Sequence, residues 1–227
     1  MTALAATLED LRRRIADIQR RPRGVRLDAV GVPTEFGAII TNAAAVRAPD
    51  LPNPVVLDLE TTGLGRGAGT LAFLAGVGRF DRGRLVVEQL VLASPARERA
   101  FLVALVDRLR DADPLVTFNG RCFDLPLLRN RLCMMRLRPI APPDVDVRWP
   151  ARRAYRDVIP NGRLRTLEEI VLGRRRTDDL PGHLAPVAFR TFLTTGDARP
   201  LVRVADHNRA DVIATAELCA LTIAPSP

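Results

Sequence analysis

The chain has 227 residues, 47% hydrophobic and 26% charged, which suits one ordinary globular domain with a modest extension and excludes global disorder. No stretch approaches the roughly eighteen uninterrupted apolar residues of a membrane span, and residues 1–23 alternate apolar residues with Arg, Glu and Asp, unlike a secretory signal, so a soluble, cytoplasmic chain with no membrane partner is expected. The net charge of +8 comes entirely from Arg, with no Lys in the chain; GC-rich codons produce the same bias, so the charge permits a nucleic-acid partner without requiring one.

Leu4, Leu8, Leu11, Ile15 and Ile18 recur at spacings of three and four, which predicts an amphipathic helix over residues 4–19. Residues 20–54, broken by Pro and Gly, read as an extended arm or hairpin, so residues 1–53 form an N-terminal extension and 54–224 the main domain. Val55, Val56 and Leu57 make a short apolar run of the kind found in a buried central strand. Strands over 70–80 and 85–92, joined by the turn Asp81-Arg82-Gly83, complete an antiparallel meander. Ser94-Pro95 opens a helix that runs to about Asp111, with Ser94 as N-cap. A strand over 115–118, a helix over 123–137 and a short strand over 145–147 follow. Thr166-Leu167-Glu168-Glu169 fits a capping box with Gly173 as the stop, and helices over 186–193 and 201–221 close the chain. This order of elements belongs to α/β architectures with a mixed sheet. Cys122, Cys133 and Cys219 lack CxxC spacing and read as small core residues.

Three acidic groups stand out. Asp58 and Glu60 lie two apart at the end of the first apolar strand and so point to one side, where a divalent cation would relieve their repulsion; a polar strand end running into a Gly turn is the alternative. Asp124 follows the Asn119-Gly120 turn near a helix start, where the helix dipole alone would also favour an acid. His207 and Asp211 share a face of the last helix, and Asp211 sits in an apolar stretch where a charge needs a partner or a metal. A run of nine Arg between Arg148 and Arg176 is either a solvated face or a stripe for a phosphate backbone.

Together these motifs resemble the DEDD-type 3′–5′ exonucleases of the ribonuclease H-like fold, and most of all the YprB-like branch, through Leu57-Asp58-Leu59-Glu60-Thr61-Thr62-Gly63-Leu64, Phe118-Asn119-Gly120 with Phe123-Asp124, and His207-Asn208 with Asp211-Val212. The likeness covers about residues 54–221. It implies a ribonuclease H-like mixed sheet flanked by helices, DNA or RNA as partner, and two-metal phosphodiester hydrolysis with Mg²⁺ or Mn²⁺. By that resemblance Asp58 bridges two ions, Glu60 and Asp211 complete the nucleophile-side ion, Asp124 holds the leaving-group ion, and His207 accepts or positions a proton. Family members with a catalytic His usually place it five residues before the last Asp, whereas those with Tyr use four; His207 takes the Tyr spacing, so it is either the general base or an orienter of water.

Asn119 either contacts nucleic acid or orders its turn, and Phe123 either stacks on a terminal base or belongs to the core. Arg152, Arg153, Arg163 and Arg165 are candidates for phosphate contacts. Asp146 reads as a strand-end acid, with support of the metal-binding acids from behind as the alternative, and His183 as a loop residue. A ribonuclease H-type endonuclease and a non-catalytic nucleic-acid-binding module are the competing readings, since one fold serves all three.

Overall fold

The meander anticipated after Pro54 is present as β3 (Val55–Thr61), β4 (Ala72–Asp81) and β5 (Arg84–Leu92) in the computed structural model, which describes residues 31–63, 69–177 and 179–223. Arg82 and Gly83 both adopt positive φ, the twist that lets a two-residue turn join β4 to β5. β6 (Leu115–Thr117) pairs parallel with β3, and β7 (Asp144–Asp146) parallel with β6. The arm contributes a hairpin: β1 (Val32–Pro33) pairs with β2 (Gly37–Ala44), which runs antiparallel to β5 along its whole length. The result is one seven-stranded mixed sheet in the order β1-β2-β5-β4-β3-β6-β7. The helix expected over residues 4–19 lies outside the described residues.

Among the described residues six helices cover the sheet: α1 (Glu98–Leu109), α2 (Asp124–Met134), α3 (Arg148–Ala154), α4 (Leu164–Ile170), α5 (Ala185–Thr195) and α6 (Arg199–Thr222). Central strands are buried on both faces, which is why β3 reads as continuous apolar sequence up to Asp58. On one face Leu57, Phe73 and Val77 meet Phe101 and Leu105 of α1, Leu128 of α2, and Phe189 and Phe192 of α5. Phe73 and Phe189 stack with ring centroids 4.5 Å apart, and burying each such ring contributes about 1.5–3 kcal/mol. On the other face Val56 and Val116 pack with Ala151 of α3, Leu167 of α4, and Val212 and Leu218 of α6. Arg131 of α2 forks onto Glu98 of α1, closing a buried ion pair between neighbouring helices.

Some local expectations are corrected. α4 starts at Leu164, which puts Thr166 inside the first turn, and Arg163 at the N-cap makes no side-chain cap; ahead of it Asn161 forms an Asx turn, its Oδ1 accepting from the Arg163 N–H at 3.1 Å and the Thr166 hydroxyl at 2.8 Å. Ser94 makes no side-chain cap; a 3₁₀ turn over Pro95–Arg97 comes first and α1 begins at Glu98. Cys219 is buried, but Cys122 and Cys133 are exposed, because the Cys122 turn and the outer face of α2 lie at the surface. Among the described residues no helix is long and apolar enough to cross a membrane.

Candidate active site

β3, β6 and β7 run parallel, so their C-terminal ends share one edge of the sheet, and the loops leaving them meet there. Asp58 and Glu60 are at that end of β3. Asp58 Oδ2 accepts from Asn208 Nδ2 of α6 at 2.7 Å, Asn208 Oδ1 accepts from Gln89 Nε2 of β5 at 2.9 Å, and Gln89 also donates to Ala205 O at 2.6 Å. Gly76 is paired opposite Asp58. A Cβ there would lie 2.3 Å from Asn208 Oδ1 and 2.8 Å from Val212 Cγ2, so glycine alone lets α6 approach the sheet closely enough to hold Asp58.

Asp124 is the first residue of α2, and its Oδ1 accepts the Leu59 N–H at 3.0 Å, which stitches the helix start to β3. The turn before it is organised by Asp146, buried at the end of β7, whose carboxylate accepts the N–H groups of Asn119 at 2.7 Å, Arg121 at 3.3 Å and Arg148 at 3.1 Å. Asn119 sits at φ +64°, a conformation Asn tolerates, and its Oδ1 accepts from Arg148 Nη1 at 2.6 Å.

On α6, His207 Nδ1 stands 2.6 Å from Asp179 Oδ1, and its Nε2 lies 3.5 Å from Asp211 Oδ2. Arg176 threads between these groups. Its Nη2 is 2.6 Å from Asp211 Oδ1, its Nε 2.7 Å from Glu168 Oε2 and its Nη1 3.6 Å from Asp179 Oδ2.

Burial and mutual repulsion govern the acids. Asp58 is pushed well above the usual carboxylate range by burial first, then by Asp211, Asp124 and Glu60, against the hydrogen bond from Asn208. Glu60 is pushed up to about 8 by burial and by Asp211, Asp124 and Asp179, all acting upward. Asp124 rises to about 6, mainly through burial, with the Leu59 N–H pulling it down and Asp146 and Asp211 pushing it up. The four acids, drawn from β3, α2 and α6, therefore feel one another's charge.

A stability prediction follows from the Glu60 shift. A carboxyl whose folded value lies near 8 against an ordinary 4.5 costs stability as pH rises between those values, because the folded state holds its proton longer. Glu60→Gln should leave thermal stability in chelator unchanged below pH 4.5 and raise it progressively toward pH 8. A variant less stable than wild type across that range would show that Glu60 is not under such repulsion.

Asp58, Glu60 and Asp124 line one cleft of about 360 Å³ together with Phe123, Leu127 and His183. Phe123 is 47% exposed, which overturns its core alternative. His183, in the 3₁₀ turn Gly182–Leu184, reaches the cleft wall rather than standing apart in a loop. His207 opens instead onto a neighbouring pocket beside Arg176 and Asp179. Arg152, Arg153, Arg163 and Arg165 are exposed on and near α3 and α4, and none of them lines the cleft. The Arg run is not uniform: Arg174 and Arg175 are exposed and pair with Glu217 and Glu169, whereas Arg176 is enclosed by acids and leaves the solvated face. Sequence reasoning gave no role to Asn208, Gln89, Gly76 or Asp179, and placed Arg176 only in the basic run.

The donors suit a hard divalent cation: carboxylate oxygens, clustered, partly buried and repelling one another. Among the described residues, however, no three His, Cys, Asp or Glu side chains stand close enough to hold an ion without adjustment. Asp58, Asp124 and Asp211 each have an oxygen engaged by Asn208, the Leu59 N–H and Arg176 respectively.

The family model of the RNase H superfamily matches residues 55–223. The uncharacterized protein YprB of Bacillus subtilis (strain 168) is 36% identical over 182 residues, which are 79% of this chain and 44% of that protein, so the chain spans less than half the length of this relative. Among solved structures, the family B DNA polymerase of the archaeon Pyrobaculum calidifontis superposes with a TM-score of 0.58 at 15% identity, over 82% of this chain and 29% of that one. Exonuclease I superposes with a TM-score of 0.51 at 16% identity, over 75% of this chain and 41% of that one. At such identities these two likenesses concern the fold alone; the family match runs from β3 to the end of α6, and with the 36% identical relative it shows that the chain belongs to the RNase H superfamily.

Proposed function

We propose that the protein is a divalent-metal-dependent nuclease that removes nucleotides from 3′ ends of DNA or RNA. The observation that carries this reading is the meeting of four acids from three separate segments at one sheet edge, where burial and the neighbouring charges, that of Asp211 among them, oppose ionisation of Asp58, Glu60 and Asp124. The order of the motifs along the chain and the likeness to exonuclease I favour terminal removal over internal cutting.

Asp58, Glu60, Asp124 and Asp211 would hold Mg²⁺ or Mn²⁺. Two such ions, when bound, supply a readily ionised water and offset charge on the departing oxygen. Asp179 accepts the proton on Nδ1 of His207, fixing the tautomer that leaves Nε2 free to take a proton from water. Phe123 offers an exposed ring at the cleft for the terminal base, and Asn119, held by Arg148, keeps the turn ahead of Asp124 in place.

The test is cleavage of end-labelled DNA and RNA with Mg²⁺, Mn²⁺ or chelator. A ladder shortening from the 3′ end and lost in chelator is expected; internal cuts, or products formed in chelator, would overturn the reading. His207→Ala should slow cleavage about 10²-fold, and wild-type turnover in that variant would remove His207 from proton transfer.

A further inference from the structure

The chain has one tryptophan, Trp149, and α3 leaves it 54% exposed while burying only Ala151. An indole left in water forgoes one of the larger burial gains a side chain can make. Its neighbours are cationic: the guanidinium carbons of Arg148 and Arg152 lie 5.5 and 5.9 Å from the ring centroid, within cation–π range. The nearby acids are occupied. Asp146 is buried under three backbone N–H groups, Asp144 is paired with Arg121, and Asp157 with Arg156.

The position of this ring gives it a use. α3 leaves β7 at the edge where Asp58, Glu60 and Asp124 gather, and Arg148 bonds Asn119, in the turn that leads to Asp124. On the other side, a Cβ at Gly162 would lie 3.1 Å from Arg152 Cδ, so the turn carrying exposed Arg163 and Arg165 rests against Arg152. Arg153 and Arg156 are exposed on and beside α3. An aromatic face framed by guanidinium groups is what an unpaired base on a phosphate backbone can engage: bases stack on aromatic rings for about 1–3 kcal/mol each, with little regard to sequence. A duplex hides its base faces and offers this surface only phosphates.

We infer that Trp149, Arg148 and Arg152 form a stacking platform for single-stranded nucleic acid, onto which a strand engaged at the carboxylate cleft extends past Asn119. The inference rests on the nuclease reading and narrows its substrate to unpaired strands.

Because Trp149 is the sole tryptophan, its emission reports this surface alone. In the full chain, kept in chelator so that nothing is cut, a short oligothymidylate should quench that emission, and a duplex of equal length should not. Trp149→Ala should weaken oligothymidylate binding, read by anisotropy, at least about fivefold, and Trp149→Phe should restore most of it. Arg152→Gln should reduce the dependence of log affinity on log salt by about 0.7, one single-strand phosphate contact. Unchanged affinity in Trp149→Ala, or equal quenching by duplex, overturns the platform. Binding is read without metal, so absence of cleavage by the wild type would remove the nuclease reading and leave this result to be judged by itself.

Discussion

Asp58→Asn is expected to reduce metal-dependent cleavage by at least about 10³-fold, a loss of roughly 4 kcal/mol of transition-state stabilisation, while the fold persists. Asp58 is acted on by each of Asp211, Asp124 and Glu60, so it stands at the centre of the acidic group. Asn has nearly the same shape. Its carbonyl can still accept from Asn208 Nδ2, which donates to Asp58 Oδ2 at 2.7 Å, and its amide would then replace the oxygen left for a cation. Removing a buried like charge should also leave the metal-free variant no less stable than wild type, because repulsion is relieved where the chain had not paired it. Thermal melts in chelator and initial rates with Mn²⁺ measure the two effects. Nucleic-acid affinity retained alongside lost cleavage is the expected pair of results, and unaltered cleavage would remove Asp58 from the site.

Arg176→Met should be the most destabilising of the substitutions considered. The guanidinium is 12% exposed and meets Glu168, itself 5% exposed, Asp179 at 9% and Asp211 at 20%. Removing the cation leaves three acids facing one another with little water, and breaking a buried pair in this way costs about 3–5 kcal/mol. That corresponds to a fall of roughly 10 °C in Tm for a chain of this size. Arg176→Lys keeps the charge but not the fork that reaches two carboxylates at once, so it should fall between the two. Mn²⁺ should return part of the lost stability in Arg176→Met, because Asp211 then lacks its cation. A melting temperature within a degree or so of wild type, against the several degrees a single kcal/mol moves in a domain of this size, would show that the acids find other partners.

Much of the sheet was legible because its strands announce themselves locally. Val55-Val56-Leu57 is apolar on both faces, and Asp81-Arg82-Gly83 carries turn chemistry that needs no distant partner. Asp58 and Glu60 were legible for the same reason: alternation along a strand is a property of neighbours. What escaped depended on contacts between segments remote in sequence. Asp146 was read as a plain strand-end acid, yet it accepts three N–H groups, two of them from the turn ahead of α2; nothing near Asp146 in the chain advertises that demand. Arg176 was counted with a basic run because composition cannot tell a solvated guanidinium from one enclosed by Glu168, Asp179 and Asp211. His183 showed no partner in sequence and reaches the cleft only because the 3₁₀ turn ahead of α5 folds back toward β3.

The contact between α6 and the sheet has a consequence for how this protein can drift over generations. Gly76, Gln89 and Asn208 come from separate elements, but a change in any one displaces the other two and with them Asp58. These three positions should be inherited as a block, with substitutions in descendants arriving jointly or not at all.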